Sequence, residues 1–342
     1  MTKATSDSPE LVDKLLDGNQ RALARVITKI ENRSNGYREL VSALHQHTGQ
    51  ADVIGITGSP GSGKSTLVDK ITKIFRDQGH SVGIIAIDPS SPFTGGAVLG
   101  DRIRMSSNVG DMDVFFRSMS ARGNLGGLSA ATTDAVKALD AFGKDKIIIE
   151  TVGAGQNEID IVKTADTIAV LVPPGSGDDI QMLKAGILEI ADIFVVNKAD
   201  LDGADKIVTE LKEMVRQRDD TAATRDEFIL SEDPDRPQWS PEILTTIANK
   251  DEGINDVIET IEKHQAFLTE SGRKAEKRQI RYAEEIKTLL REDVNGLIAS
   301  KIEAMGGIEE LSERVLTKET DPYTLADTII EPLEECLRQQ NQ

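Results

Sequence analysis

The alternation of apolar and polar residues divides the chain into three stretches of different texture. Residues 1–50 place apolar side chains at helical spacing after Ser8-Pro9-Glu10, which is typical of a helix start. From residue 51 to residue 270, short β-branched runs alternate with helical patterns. They predict strands at 53–57, 82–87, 146–150, 167–172, 192–196 and 242–247. After residue 271 only helical spacing remains.

This order of elements predicts an α/β fold with a mostly parallel sheet flanked by helices. In such sheets ligands bind at the carboxyl ends of the strands. We expect three parts: an N-terminal helical extension (1–50), a central α/β domain (51–270) and a C-terminal helical arm (271–342). The apolar stripe of the arm exceeds what the core can bury, so we expect a homodimer formed through it. Residues 216–238, which carry several acids and two prolines, are interpreted as a solvated loop.

Charge and cysteine content narrow the classes of function. The 342 residues include 58 acids and 40 bases, a net charge of −18, which argues against binding to nucleic acid or to an anionic membrane. The single cysteine, Cys336, excludes an intramolecular disulfide framework and a Cys-rich metal site. The chain shows neither a signal peptide nor a long uninterrupted apolar run, so we expect a soluble cytoplasmic protein.

A phosphate-binding loop follows the first predicted strand. Residues 58–65 fit the pattern G-x-x-x-x-G-K-[ST] between a strand and a helix, which is the context that this P-loop motif requires. Lys64 is expected to reach the β and γ phosphates, and Ser65 to bind Mg²⁺. The full set of residues expected around the phosphates is Gly58, Ser59, Pro60, Gly61, Ser62, Gly63, Lys64, Ser65 and Thr66.

A second motif points to guanine. Asn197, Lys198 and Asp200 form the pattern N-K-x-D directly after an apolar run. The Asp200 carboxylate can accept hydrogen bonds from N1–H and the N2 amine of guanine, and adenine offers no such pair of donors. Ala248 is expected to offer its backbone N–H to the guanine O6, although Ile247 replaces the serine that many GTPases carry there. The sequence therefore favours GTP over ATP.

Further carboxylates close the neighbouring strands. Asp88 ends the second predicted strand and Glu150 ends the third, so Ser65, Asp88 and Glu150 are the predicted Mg²⁺ ligands, with Glu150 binding the ion through water. Glu150 also opens a Glu-x-x-Gly motif, in which Gly153 lets a backbone N–H approach the γ-phosphate. A loop over 173–184, with two prolines and two glycines, is expected to switch between discrete shapes.

Together these stretches resemble the MeaB/ArgK GTPases, which are G-protein chaperones of adenosylcobalamin-dependent acyl-CoA mutases. The matching segments are 55–66, 88–96, 99–105, 150–153 and 197–200. The resemblance implies a Mg²⁺-dependent GTPase that uses GTP and GDP, and a partner that is most simply methylmalonyl-CoA mutase. GTP state would be coupled to cofactor loading and protection, with no tightly bound cobalamin on this chain alone.

The resemblance also suggests roles for individual residues. It places the loop of Asp101 over the nucleotide, which completes a catalytic set of Lys64, Asp101, Glu150 and Gly153. It makes the loop after the fourth predicted strand a switch that signals to the mutase. The switch residues are Asp178, Gln181 and Lys184.

Two other classes of function stay open at this stage. One is a GTPase for nickel or cobalt insertion, which would be expected to carry clustered His or Cys residues, and the four histidines here are scattered. The other is a P-loop kinase, against which the N-K-x-D motif speaks.

Overall fold

The computed structural model describes residues 7–88, 110–120, 127–151, 164–175, 190–220 and 237–340. Within these ranges the side chains of residues 7, 8, 88, 120, 127–129, 219, 220 and 332–340 are left undescribed. The chain divides into two compact units, Met1–Arg278 and Gln279–Gln342.

Seven parallel strands form the sheet of the first unit. They are β1 (Asp52–Gly58), β2 (Val82–Asp88), β3 (Val114–Ser120), β4 (Lys146–Thr151), β5 (Thr167–Val172), β6 (Ile193–Asn197) and β7 (Glu242–Thr246). Their order in the sheet is β3-β2-β4-β1-β5-β6-β7, and every described pairing is parallel. The predicted fold class is confirmed. Six strands were predicted, and β3 is an additional one at the edge of the sheet.

Helices connect the strands and precede them. The first unit contains α1 (Asp7–Leu16), α2 (Gln20–Glu31), α3 (Tyr37–His45), α4 (Lys64–Asp77), α5 (Gly127–Ala141), α6 (Ala204–Asp220) and α7 (Ile254–Glu270). A 3₁₀ turn, Ala248–Lys250, follows β7. Because α6 continues to Asp220, the prediction of a loop from residue 216 is wrong at its start, and residues 221–236 lie outside the described part.

Two apolar layers cover the two faces of the sheet. In β4, Ile147 and Ile149 point into one layer and Ile148 into the other, as the two-residue period of a strand requires. The first layer includes Leu23 and Ile27 of α2, so the N-terminal helices share the core of the first unit. The second layer is filled mainly from α4 and α7. Because both faces are covered, the ends of the strands are where ligands can reach the sheet.

Helix α8 (Arg273–Ala304) starts at the amino ends of the strands. Asp52, the first residue of β1, accepts from Lys146 and from Lys274, each at 2.8 Å. Arg278 donates to the carbonyl oxygen of Gly49 at 3.0 Å. We call residues 273–278 the root of α8. These bonds hold the root on the amino edge of the sheet, away from the phosphate loop at its carboxyl edge.

A buried histidine lies near this root. His264 is 1% exposed, its Nδ1 lies 2.9 Å from the Thr167 hydroxyl and its Nε2 lies 3.3 Å from an Asp192 carboxylate oxygen. The Trp239 ring lies against it, with 4.8 Å between ring centroids. Burial lowers the pKa of His264 below its ordinary value, although Asp192 opposes the shift. The ring is therefore neutral at pH 7.

The second unit is helical and consists of most of α8, α9 (Gly307–Leu316) and α10 (Pro322–Gln340). No residue of α8 is buried. Large apolar side chains on this helix are exposed at intervals of three or four residues: Tyr282, Ile286, Leu290, Val294 and Leu297. Among the helices of the described residues, none has the length and apolar character needed to cross a membrane.

Candidate nucleotide site

The phosphate loop links the end of β1 to the start of α4. Lys64, the first residue of α4, is 6% exposed, and its ammonium donates to the carbonyl oxygens of Gly58 at 2.7 Å and Ser59 at 2.8 Å. The buried hydroxyls of Ser59 and Ser62 have no hydrogen-bond partner within the described residues. A cation, unpaired hydroxyls and the N-terminus of a helix converge here, which is the chemistry that binds an anion such as a phosphate.

Two glycines of the loop are required by close contacts. Gly58 has φ of 136° and Gly63 has φ of 94°, both in the left-handed region that other residues adopt at a cost. A Cβ at Gly58 would overlap the carbonyl oxygen of Leu171, and a Cβ at Gly63 would overlap the side-chain amide of Asn197. The loop therefore approaches β5 and the end of β6 more closely than any side chain would allow.

A carboxylate and a hydroxyl meet beside the loop at the end of β4. The Ser65 hydroxyl donates to Glu150 Oε1 at 2.5 Å, and Glu150 is 3% exposed. The oxygen atoms of both groups are hard ligands, which Mg²⁺ prefers. Asp88 closes β2, but its side chain lies outside the described set. The described residues therefore contribute two of the three predicted Mg²⁺ ligands, in contact with each other.

The described residues contain no group of three or more His, Cys, Asp and Glu side chains that could hold a metal ion.

Asn197 connects the phosphate loop with the segment after β7. Its side-chain amide donates to the carbonyl oxygen of Ser62 at 2.7 Å. Its Oδ1 accepts from the Thr246 hydroxyl at 3.0 Å and from the Ala248 N–H at 3.1 Å. Asn197 is 2% exposed, so these three bonds are shielded from water. The first residue of the N-K-x-D motif thus joins the two halves of the site, which are the phosphate loop and the segment after β7.

The other residues of the motif lie at the surface beyond β6. Lys198 has φ of 60°, an unusual left-handed conformation for a lysine, and it redirects the chain at the strand end. The Asp200 carboxylate accepts from Lys250 at 2.9 Å. This hydrogen bond lowers the pKa of the Asp200 carboxyl and raises the pKa of Lys250, so both groups are charged at pH 7.

Most of the predicted residues that the structure describes meet at this edge of the sheet. The phosphate loop, Glu150 and Asn197 are linked by the hydrogen bonds given above. Ala248 directs its N–H to Asn197, so its contact with guanine O6 stays a prediction. Outside the described residues lie Asp101, Gly153, Asp178, Gln181 and Lys184.

Sequence reasoning missed two residues of the site, Thr246 and Lys250. Both lie within two residues of Ala248, the residue that the sequence predicts to contact guanine. Their polar side chains directly around Ala248 were the available signal.

One family model and several known proteins resemble this chain. Residues 23–303 match the family described as methylmalonyl-CoA mutase-associated GTPase MeaB. A putative GTPase of Pyrococcus abyssi is 48% identical over 330 residues, covering 95% of this chain and 96% of that protein. The mitochondrial methylmalonic aciduria type A homolog of Mus musculus is 32% identical over 355 residues, covering 96% of this chain and 81% of that protein.

Among solved structures, the crystal structure of a LAO/AO transport system kinase covers 98% of this chain and 99% of its own, with a TM-score of 0.64 and 24% identity. At that identity the likeness is evidence for a shared P-loop fold.

Proposed function

Since this chain belongs to the MeaB family of GTPases, we propose that it hydrolyses GTP with Mg²⁺ as the chaperone of an adenosylcobalamin-dependent acyl-CoA mutase. The observation that carries the hydrolytic part is the contact between Ser65 and Glu150 directly beside Lys64. It puts two oxygen donors and one cation at the end of the phosphate loop. The family and its relatives, named as GTPases, support the activity independently.

In this proposal the chain's own residues bind and orient the triphosphate. The loop amides and Lys64 hold the phosphates, while Ser65 and Glu150 hold Mg²⁺, which neutralises charge that develops on the phosphate oxygens. Glu150 is buried and its Oε1 is hydrogen-bonded to the Ser65 hydroxyl, so the two oxygens that would hold Mg²⁺ already lie side by side. The negative net charge of the chain repels phosphate at long range, and this local cradle offsets that repulsion.

Asp200 supplies base selection. Its carboxylate is ionised and 35% exposed, so a base can reach it. Asp200→Asn replaces an acceptor with a donor, which should weaken GDP binding at least about 100-fold, since two hydrogen bonds to a charged group are lost. Xanthosine diphosphate, with an oxygen at C2, should gain affinity. Equal binding of GTP and ATP by the wild-type chain would contradict this assignment.

The link to a mutase rests on the family and on one relative. The family description names methylmalonyl-CoA mutase, and the Mus musculus relative carries the name of methylmalonic aciduria type A. A partner that prefers one nucleotide state must shift nucleotide affinity by the same factor as the nucleotide shifts its own binding. We therefore expect the mutase both to accelerate hydrolysis and to change GTP or GDP affinity. In this proposal Asp101 and Lys184, which both lie outside the described residues, belong to the segments that relay that change.

The decisive measurement is GTP hydrolysis by the full chain with and without purified methylmalonyl-CoA mutase from the same source. Slow hydrolysis that the mutase accelerates, at a rate proportional to complex formed, is the expected result. Nucleotide titration in the presence of the mutase provides the second readout. If no adenosylcobalamin-dependent mutase changes either quantity, the chaperone proposal is wrong and the GTPase activity alone remains.

We also propose that the chain forms a homodimer through its C-terminal arm. The exposed side chains of α8 form one stripe, and an apolar stripe of this kind is stabilised when a second copy covers it. Leu290→Glu places a charge in the stripe and should yield monomers in sedimentation velocity at micromolar concentration. Asn295→Glu, on the opposite side of the same helix, is the matched control. A wild-type chain that sediments as a monomer would contradict the proposal.

A further inference from the structure

The segment after β7 contributes a lysine to the base-reading carboxylate. Lys250 lies 50 residues beyond Asp200 in the chain, and its Nζ is 2.9 Å from Asp200 Oδ2. Neither the family's phosphate loop nor the N-K-x-D motif includes this residue. The contact therefore places a cation directly beside the carboxylate that is proposed to select the base.

The backbone that carries Lys250 is held on both sides. Its own N–H donates to the carbonyl oxygen of Ile247 at 2.8 Å and closes the 3₁₀ turn. The next residue, Asp251, is left-handed with φ of 61° and pairs with Lys70 of α4 at 2.7 Å. Ile247 also forms a β-bridge with Glu252. Lys250 thus extends from a fixed turn toward Asp200.

The backbone around Asp200 is fixed as well. The Ala199 N–H donates to the carbonyl oxygen of Thr246, and the Leu201 N–H donates to that of Lys198, both at 3.0 Å. The two partners of the ion pair therefore extend from backbones that are tied to the same strand end. The fold sets the distance between the backbones of Asp200 and Lys250, and the rotamers of the two side chains then determine whether the ion pair forms.

A carboxylate has enough acceptor positions for a lysine and a guanine together. Its two oxygens offer about four lone-pair sites, and guanine needs two of them for N1–H and the N2 amine. Lys250 occupies one on Oδ2. The cation fixes the rotation of the carboxylate and keeps it ionised, and the remaining lone-pair sites are enough for the two hydrogen bonds of guanine.

We propose that Lys250 is a positioning residue for base selection, which orients the Asp200 carboxylate so that it accepts both hydrogen bonds of guanine. The inference rests on the proposed role of Asp200 as the guanine-reading residue. A purine bound against the carboxylate removes water from one side of the pair, which strengthens the lysine bond just when the base is present. The effect of Lys250 is therefore greater on guanine binding than on folding.

The chain contains a matched surface ion pair for comparison. Lys263 and Glu259 on α7 are also 2.9 Å apart, with side chains 54% and 65% exposed, against 51% and 35% for Lys250 and Asp200. The loss of an exposed pair of this kind changes an equilibrium constant by at most about fivefold. Lys263→Met therefore reports what the loss of an ordinary surface pair does.

The test compares guanosine diphosphate with inosine diphosphate, which lacks the N2 amine. Binding of both to the full chain is measured by titration calorimetry for wild type, Lys250→Met, Lys250→Arg and Lys263→Met. We expect Lys250→Met to weaken GDP binding about fivefold and IDP binding less, so that the preference for GDP falls. Lys250→Arg should restore the preference, and Lys263→Met should leave it unchanged.

A double variant separates positioning from a general loss of charge. With Asp200→Asn there is no anion for Lys250 to orient, so adding Lys250→Met should not weaken GDP binding further, and the two changes should be strongly non-additive. Additive losses would overturn the proposal. So would an unchanged ratio of GDP to IDP affinity in Lys250→Met, or an equal loss of both with a lower melting temperature.

Failure of the underlying function gives a different result. If the wild-type chain binds ADP as tightly as GDP, Asp200 does not read guanine and the inference falls with that assignment. If the wild-type chain prefers GDP and Lys250→Met keeps the full preference, only the inference is wrong.

Discussion

Replacing Asn197 with alanine should weaken the fold and nucleotide binding together, because one buried amide joins three segments of the site. The side chain bonds the carbonyl of Ser62 in the phosphate loop, the hydroxyl of Thr246 at the end of β7 and the N–H of Ala248 in the 3₁₀ turn. All three bonds are between 2.7 and 3.1 Å long. The variant leaves one acceptor and two donors without their partner.

The expected loss of stability follows from the burial of these groups. A buried polar group that loses its partner costs about 1–3 kcal/mol. Asn197, Thr246 and Ala248 are each 3% exposed or less. The space left by the missing amide can admit water, which places each cost near the lower end, so the sum is about 3 kcal/mol. That is a large part of the 5–15 kcal/mol that typically separates folded and unfolded states.

Two measurements test this reasoning. Urea unfolding followed by circular dichroism gives the change in the free energy of unfolding, and GDP titration gives the change in affinity. Amide hydrogen exchange provides a local readout, because the Ala248 N–H should exchange faster once its acceptor is gone. We expect a loss of about 3 kcal/mol, accelerated exchange at Ala248 and GDP binding weakened about tenfold or more.

Two further variants provide controls. Asn249 lies in the same turn but is exposed, so Asn249→Ala should change the free energy of unfolding by no more than about 0.5 kcal/mol. Thr246→Val removes a single donor and should cost about 1 kcal/mol. If Asn197→Ala behaves like Asn249→Ala in stability, affinity and exchange, the amide does not hold the two halves of the site together and the reasoning is refuted.

Two other expectations concern the phosphate loop and the buried histidine. Lys64→Ala removes the cation among the loop amides, so it should weaken GTP binding and lower the rate of GTP hydrolysis about 100-fold or more in a phosphate-release assay. Lys73→Ala, on the exposed side of α4, is the control and should change neither quantity. Near-normal turnover by Lys64→Ala would contradict the role of Lys64. In the folded chain the pKa of His264 is lowered below its value in the unfolded chain, which is about 6.5. As the pH falls, the unfolded chain therefore binds a proton at this histidine before the folded chain does. The free energy of unfolding should decrease as pH drops from about 7.5 through 6.5 toward the lowered native pKa. Melting temperatures measured across that range should show a smaller pH dependence for His264→Gln than for wild type, with His47→Gln, at an exposed position, keeping the wild-type slope; equal slopes for the two variants would show that His264 does not contribute.

The strands that sequence predicts best are those buried on both faces. Ile147, Ile148 and Ile149 are all fully buried, and such continuous apolar runs are typical of parallel strands. Strand β3 was missed because it lies at the edge of the sheet, where β2 is its one neighbour among the described strands. Its Arg117 and Ser118 are half-buried and polar, so they interrupt the apolar pattern that would predict a strand.

The same distinction holds for the site. The phosphate loop and the N-K-x-D motif are local patterns, so their residues could be assigned from the sequence. The bond from Asn197 to Ser62 joins residues 135 positions apart, and that between Asp200 and Lys250 spans 50. Such contacts depend on which strands become neighbours in the sheet. The order of β1, β5, β6 and β7 determines them, and no local pattern encodes that order.

Strand β1 has different chemistry at its two ends, and its length sets the distance between them. Asp52 at the amino end holds the root of α8 through Lys274, and Gly58 at the other end begins the phosphate loop. Seven extended residues span roughly 20 Å. A buried strand paired on both sides can neither lengthen nor bend without breaking its ladder, so β1 acts as a stiff spacer. Because β1 keeps its length, we expect the root of α8 to keep its position at the amino edge of the sheet when a phosphate is lost at the other end of the strand.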